Sequence, residues 1–226
     1  RTRARTRQGT PRYGDGKILV IFDNDHDLRR DDEHRYFVGN REVEGVTATL
    51  KDVGLINDEW FTDGHSSRGV AIHAEMSSLA RGAEPFMFLD PDLTGWVKSG
   101  QDFLTMLKAE CHEIAGVEVM RWHRLYAFAG QMDLITLREN RIYIWDFKSG
   151  KALKTTRFQL AAYSMLVQPV IGEKMVKRAA VELQEDGGRA KVIEYNTPAH
   201  FHDGARFLSY LTAARDRREF GPKGGA

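Results

Sequence analysis

The chain has 226 residues, a formal net charge of +1, and 42% hydrophobic and 29% charged residues, the balance of a soluble globular protein with a sizeable core. No apolar run approaches the length of a membrane-spanning helix, so no membrane partner is expected. Cys111 is the only cysteine, which excludes an internal disulfide and suits a reducing, cytoplasmic setting.

Residues 1–14 hold Arg1, Arg3, Arg5, Arg7 and Arg12 without an acid, so the remainder of the chain carries −4. Such an arm suits flexible contact with phosphates, through Arg3, Arg5 and Arg7 in particular, although a solvated tail has the same composition. Because the body is not basic, any nucleic-acid site must be a local patch. Lys17–Phe22 reads as a short strand, and the acidic stretch Asp23–Glu33 follows it. Its start resembles a calcium loop, but Leu28 and His34 stand where that loop needs Gly and Glu. A solvated turn is expected instead. His34–Val38 and Arg41–Val46 then predict a hairpin turning at Gly39-Asn40, which makes residues 15–46 an N-terminal β appendage.

Thr47–Ile56 predicts a short helix. A second, capped by Asp63 or Ser66, runs to about Arg81 with Ile72, Met76 and Leu79 as its core stripe. His73 lies one turn after Gly69 on that helix. After Pro91, helical spacing resumes over Leu93–Ala109. Val117–Leu125 predicts the first central strand, with Glu118, Met120 and Trp122 on one face and His123 on the other. Glu118 is either a supporting acid or a surface ion-pair partner. Cys111-His112 lacks a second such pair, so no zinc site is expected.

The organising stretch follows. Gln131–Leu137 and Ile142–Lys148 each alternate inward and outward residues, and Arg138–Arg141 is polar turn material. That loop sets Leu137 opposite Ile142, Ile135 opposite Ile144 and Asp133 opposite Asp146, with Lys148 on the aspartates' face. Carboxylates so opposed sit roughly 5 Å apart and repel by about 3 kcal/mol at an intermediate dielectric. Either the pair shares a proton or a cation lies between them, unless both lie at solvated strand ends. Two hard oxygen ligands suit Mg²⁺ or Mn²⁺.

Beyond Ser149-Gly150, Lys151, Lys154 and Arg157 have the spacing of a phosphate track or of a solvated helix start. The helix Thr155–Val167 puts Gln159 and Tyr163 on one face. Arg178–Gln184 and Ala190–Asn196 predict a further hairpin around Asp186-Gly187-Gly188, and Pro198–Phe220 a closing helix before the tail 221–226. His200, His202 and Asp203 read as surface residues near that helix start.

Taken together, G-x-x-D at Gly130–Asp133, D-x-K at Asp146–Lys148 followed by Ser149-Gly150, and Q-x-x-x-Y at Gln159–Tyr163 resemble the RecB-like branch of the PD-(D/E)XK nucleases. Gly69 and His73 match that branch's upstream G-x-x-x-H. The resemblance covers roughly residues 47–166, in family order. It implies a mixed α/β fold with an αβββαβ core, a central mixed sheet flanked by helices, within a nuclease domain spanning residues 47–220. It implies one or two Mg²⁺ or Mn²⁺ ions held by His73, Asp133, Asp146 and the Phe147 carbonyl, activating water for attack on a phosphodiester. Lys148 would orient that water, and Gln159 and Tyr163 would position Lys148 and the phosphate. Some members carry a four-cysteine iron–sulfur cluster, which one cysteine cannot build. With no P-loop, the chain resembles small phage-type exonucleases that process DNA ends for recombination or repair in the host cytoplasm. Its partners would be DNA and a separate recombinase, helicase or single-strand-binding protein. A structure-selective endonuclease and a non-catalytic nucleic-acid-binding module on the same fold are the alternatives.

Overall fold

The computed structural model describes residues 22–57, 63–84, 90–171 and 175–221. The basic arm with Arg3, Arg5 and Arg7, the run expected at 17–21 and the tail 222–226 lie outside them. Among the described residues no helix is long and apolar enough to cross a membrane.

The expected central strands form and pair. They are β4 (Glu113–His123), β5 (Phe128–Arg138) and β6 (Arg141–Lys148), with β7 (Val176–Glu182) and β8 (Lys191–Glu194) beyond them. β5 is antiparallel to both β4 and β6, β6 is parallel to β7, and β7 is antiparallel to β8. β5 and β6 are buried nearly throughout, as strands covered on both faces must be. One cover is α1 (Val46–Asp52), α4 (Thr156–Ile171) and α5 (Asp203–Phe220), packed through Leu50, Leu160 and Phe207 onto Ile142 and Ile144. The other is α2 (Asp63–Ala80) and α3 (Thr94–Ala109), whose Ile72, Met76 and Phe103 meet Trp145 and Phe147. The chain order α2/α3, β4–β6, α4, β7 is the expected αβββαβ core.

The β5–β6 register is the one the alternation predicts, Leu137 opposite Ile142 and Ile135 opposite Ile144. The loop is shorter than expected. Arg138 pairs with Arg141, and only Glu139 and Asn140 turn, both with left-handed φ (47° and 61°) as a tight two-residue hairpin requires.

The N-terminal hairpin is β1 (Leu28–Arg30), β2 (Tyr36–Val38) and β3 (Arg41–Gly45), turning at Gly39 (φ 59°). It extends the core sheet, because β3 runs parallel to the start of β5 with Glu44 and Gly45 opposite Phe128 and Ala129. The acidic stretch before it is not a solvated turn. Asp25 N–H donates to the Met120 carbonyl (3.0 Å), while the Asn24 and Asp25 side chains accept from Met120 and Trp122 N–H (2.8 and 3.0 Å). Asp25 also pairs with Arg121 at 3.1 Å. These carboxylates and amides complete the outer edge of β4, a long-range role that local composition does not reveal.

Candidate active site

The site forms where the β5–β6 ladder stops. Pairing runs from Arg138–Arg141 to Leu134–Trp145 and goes no further. Strict alternation along β5 breaks there too: Met132 packs on the α4 side, whereas Leu134, two residues on, packs on the α2/α3 side. Asp133 falls at the break. Its Oδ2 accepts Phe147 N–H at 2.7 Å, so the carboxylate replaces the backbone acceptor that a continued ladder would supply. Past this point β3 pairs with β5, and β7 carries β6 onward through Asp146 and Lys148.

Around this break lies a cleft of about 710 Å³, lined by β2, β3, α1, α2, β5 and β6. His73 on α2 puts Nδ1 3.4 Å from Asp133 Oδ2. Glu118 lies across β4–β5 from Asp133, between the pairs Val117–Leu134 and Val119–Met132, with a left-handed φ of 54°. That backbone is uncommon for a residue with a side chain, and such departures gather at functional sites. Its carboxylate accepts from Gln131 Nε2. His73, Glu118 and Asp133 each bring one donor atom within 4.8 Å of the others.

Asp146 is 2% exposed, and its two oxygens are held separately from that cluster. Lys148 Nζ is 2.7 Å from Oδ2, and Gln159 Nε2 donates to Oδ1 at 3.2 Å. Gln159 Nε2 also lies 3.0 Å from the Tyr163 hydroxyl, and its Oε1 accepts from Lys148 at 3.4 Å. Gln159 therefore ties Asp146, Lys148 and Tyr163 together. Tyr163 lies flat against β5, where a Cβ on Gly130 would come within 2.7 Å of its ring; a glycine is required for that approach. Gly69 is less constrained, since a Cβ there would meet Ser149 Oγ at 3.9 Å, an ordinary contact.

The electrostatics follow from burial and crowding. Asp133 raises the His73 imidazole to about 9, above the usual 6.5, against the opposing pull of burial. Burial, and then the Asp133 charge, push Glu118 up to about 7. Burial pushes Asp133 up, but His73 and Lys148 outweigh it and the carboxyl ends below its ordinary value. Asp146 ends above its own, from burial and from Asp133 despite Lys148. Burial disfavours the Lys148 ammonium, yet Asp146 holds it above the ordinary lysine value. The opposed charges expected from the sequence are thus kept apart by the chain's own cations, His73 against Asp133 and Lys148 against Asp146.

A divalent cation fits this constellation. One imidazole nitrogen and two carboxylates form a compact donor set for a hard to borderline ion. Glu118 and Asp133 resist ionising together without such a charge.

Two sequence expectations change. Arg157 is not open to a phosphate track: its Nε and Nη2 hold Asp203 Oδ1 (2.9 and 2.6 Å), and Nη2 also donates to the Ala199 carbonyl (2.6 Å). Asp203 is fully buried rather than at the surface, with Arg178 4.0 Å from its other oxygen. Lys151 and Lys154 are exposed as a track would need. Gln131, Tyr36 and Arg30 are among the cleft residues that sequence did not single out. Gln131 and Tyr36 are neutral residues in ordinary strand positions, and Arg30 sat in the stretch read as a turn.

Residues 63–225 match the family model of the PD-(D/E)XK nuclease superfamily. The comparison with curated proteins found no match. Among solved structures, the chain is similar to a candidate exonuclease from Eubacterium rectale. The two share 12% identity and a TM-score of 0.50, over 80% of this chain and 83% of that one. At that identity the likeness speaks for the fold alone. The αβββαβ core, the acid–lysine pair at the parting strands and the extent of the family match agree: this chain belongs to the PD-(D/E)XK nuclease superfamily.

Proposed function

We propose that the chain is a divalent-metal-dependent deoxyribonuclease of the RecB-like branch, an exonuclease that trims DNA ends during recombination or repair. The observation that carries this reading is the meeting of His73, Glu118 and Asp133 beside the buried Asp146–Lys148 pair, at the floor of a cleft.

In this reading His73, Asp133 and Glu118 hold Mg²⁺ or Mn²⁺. Asp146, paired with Lys148, and the Phe147 carbonyl would complete the set. A bound divalent cation supplies Lewis acidity to the phosphodiester and to the attacking water. Lys148 contributes a fixed ammonium that orients the water and offsets the charge developing on the phosphate oxygens. Gln159 fixes the Lys148 rotamer through the contacts described above, and Tyr163 supports Gln159. Lys151 and Lys154 carry the strand away from the cleft. A recombinase, helicase or single-strand-binding protein would work beside the chain.

Linear, nicked and closed circular DNA, single- and double-stranded, incubated with Mg²⁺, Mn²⁺ or chelator, tests this directly. Linear DNA is expected to be degraded only with metal, and closed circles to survive. Cutting of closed circles would replace the exonuclease by an endonuclease. Inertness toward every substrate in both metals would leave the binding-module alternative.

A further inference from the structure

Three arginines among the described residues line the cleft, and they are not equivalent. Arg35 is paired with Asp31 (2.9 Å) and Glu33 (3.2 Å). Arg218 is paired with Asp52 and, at 3.7 Å, with Glu44. Arg30 forms no ion pair among the described residues. Its Nη1 donates instead to the neutral Gln131 Oε1. Period-two alternation on β1 sends Arg30 to the same side as the buried Leu28, toward the cleft, while Arg29 points the other way and lies 4.0 Å over the Phe37 ring. The buried Tyr36 flanks Arg30: burial raises its phenol, and the guanidinium draws it back down. Arg30 is therefore hydrogen-bonded only to two neutral partners, its charge is felt by Glu118 without a direct ion pair, and most of its donors are unspent.

Its anchor leads to the reacting centre. Gln131 accepts from Arg30 with one end of its amide and donates to Glu118 with the other, and Glu118 lies beside Asp133. A preorganised guanidinium that lacks a carboxylate partner, next to a cluster of acids, is what a polyanion needs in order to approach them. We propose that Arg30 is a substrate-binding residue that takes a backbone phosphate of the nucleic-acid strand entering the cleft. The N-terminal hairpin, upstream of the segment that matches the family, is then part of the active site. This rests on the nuclease reading. Because the hydrogen bonds of Arg30 stop at Gln131, one residue short of the cluster, it binds a phosphate beside the scissile one.

The test uses Arg30→Gln, which keeps length and polarity but removes charge, and Arg30→Lys, which keeps charge but not the fork. Binding of a fluorescein-labelled single-stranded oligodeoxynucleotide in Ca²⁺, followed by anisotropy over a salt series, is read beside steady-state cleavage in Mg²⁺ or Mn²⁺. Arg30→Gln should weaken binding about tenfold whatever the base sequence and lower the salt slope by about one. KM should rise by a similar factor while kcat changes by less than about twofold. Arg30→Lys should recover the slope and only part of the affinity. Wild-type affinity and slope in a normally melting Arg30→Gln protein would overturn the proposal. A fall in kcat at unchanged KM would also overturn it, since Arg30 would then act only by positioning Glu118. If the wild type cuts nothing, the nuclease reading fails, and the binding series still decides the role of Arg30.

Discussion

The two halves of the β5–β6 hairpin are built from the same chain and behave oppositely. At the turn end the strands are closed by five ladder pairs, and the polar side chains there satisfy one another. Thr136 Oγ1 sits 2.8 Å from Trp145 Nε1 and 2.9 Å from His112 Nδ1, within a packed aromatic group. At the other end the strands part, β3 takes up β5 while β7 stays with β6, and Asp133, Asp146 and Lys148 gather in the gap. The closed half is stable because its partners are complete. The open half holds charge because its partners are incomplete, and in the proposed reading that incompleteness is where a metal and a phosphate would enter.

The comparison can be broken most forcefully at Lys148. Lys148→Ala should cut cleavage by about 10²–10³ while metal affinity persists, because a preorganised charge aimed at the transition state is removed and the donor cluster is untouched. Single-turnover cleavage and metal-titration calorimetry measure the two sides, and wild-type speed in this variant would remove Lys148 from the chemistry.

At the closed end the effect should be confined to stability. Thr136→Val leaves the buried indole N–H without an acceptor, at a cost of about 1–3 kcal/mol. Denaturant unfolding should show that loss with metal affinity and cleavage unchanged. A parallel fall in cleavage would mean that the two halves are coupled.

The smallest effect sharpens the open end. The fold raises His73 from 6.5 to about 9, so in chelator its pairing with Asp133 stabilises fully below pH 6.5 and is lost as pH rises through about 9. The melting difference between wild type and His73→Gln should shrink across that window. A divalent cation competes for the same positions, so its apparent affinity should climb over the same range. A difference that stays flat with pH would show that the imidazole is not held charged.

Much of this was legible in the sequence because it is local. Hydrophobic alternation with a polar turn dictates a register, and Leu137–Ile142 and Ile135–Ile144 pair as it requires. Helical spacing likewise placed Gln159 and Tyr163 on one face, where Gln159 meets Lys148 and Asp146 and Tyr163 meets Gln159. What escaped is non-local. The parallel contact of β3 with β5 spans two residue pairs about 84 positions apart and leaves no periodic trace. The burial of Asp203 depends on Arg157, 46 residues away, and Glu118, legible as a candidate acid, was not legible in its left-handed backbone. Asp133 itself was legible as a residue but not in its placement, because alternation cannot announce where it will fail.

The side chains of Asn24 and Asp25 along β4 have a consequence for the molecule in a crowded solution. An outer strand with open N–H groups is a template on which a second polypeptide can add itself, the usual start of sheet-to-sheet aggregation and of strand exchange. On β4 the Met120 and Trp122 N–H groups are already taken by the Asn24 and Asp25 side chains. Around Met120–Trp122 the margin of this sheet is thereby withdrawn from such pairing, by the same acidic run that in sequence resembled an unfinished calcium loop.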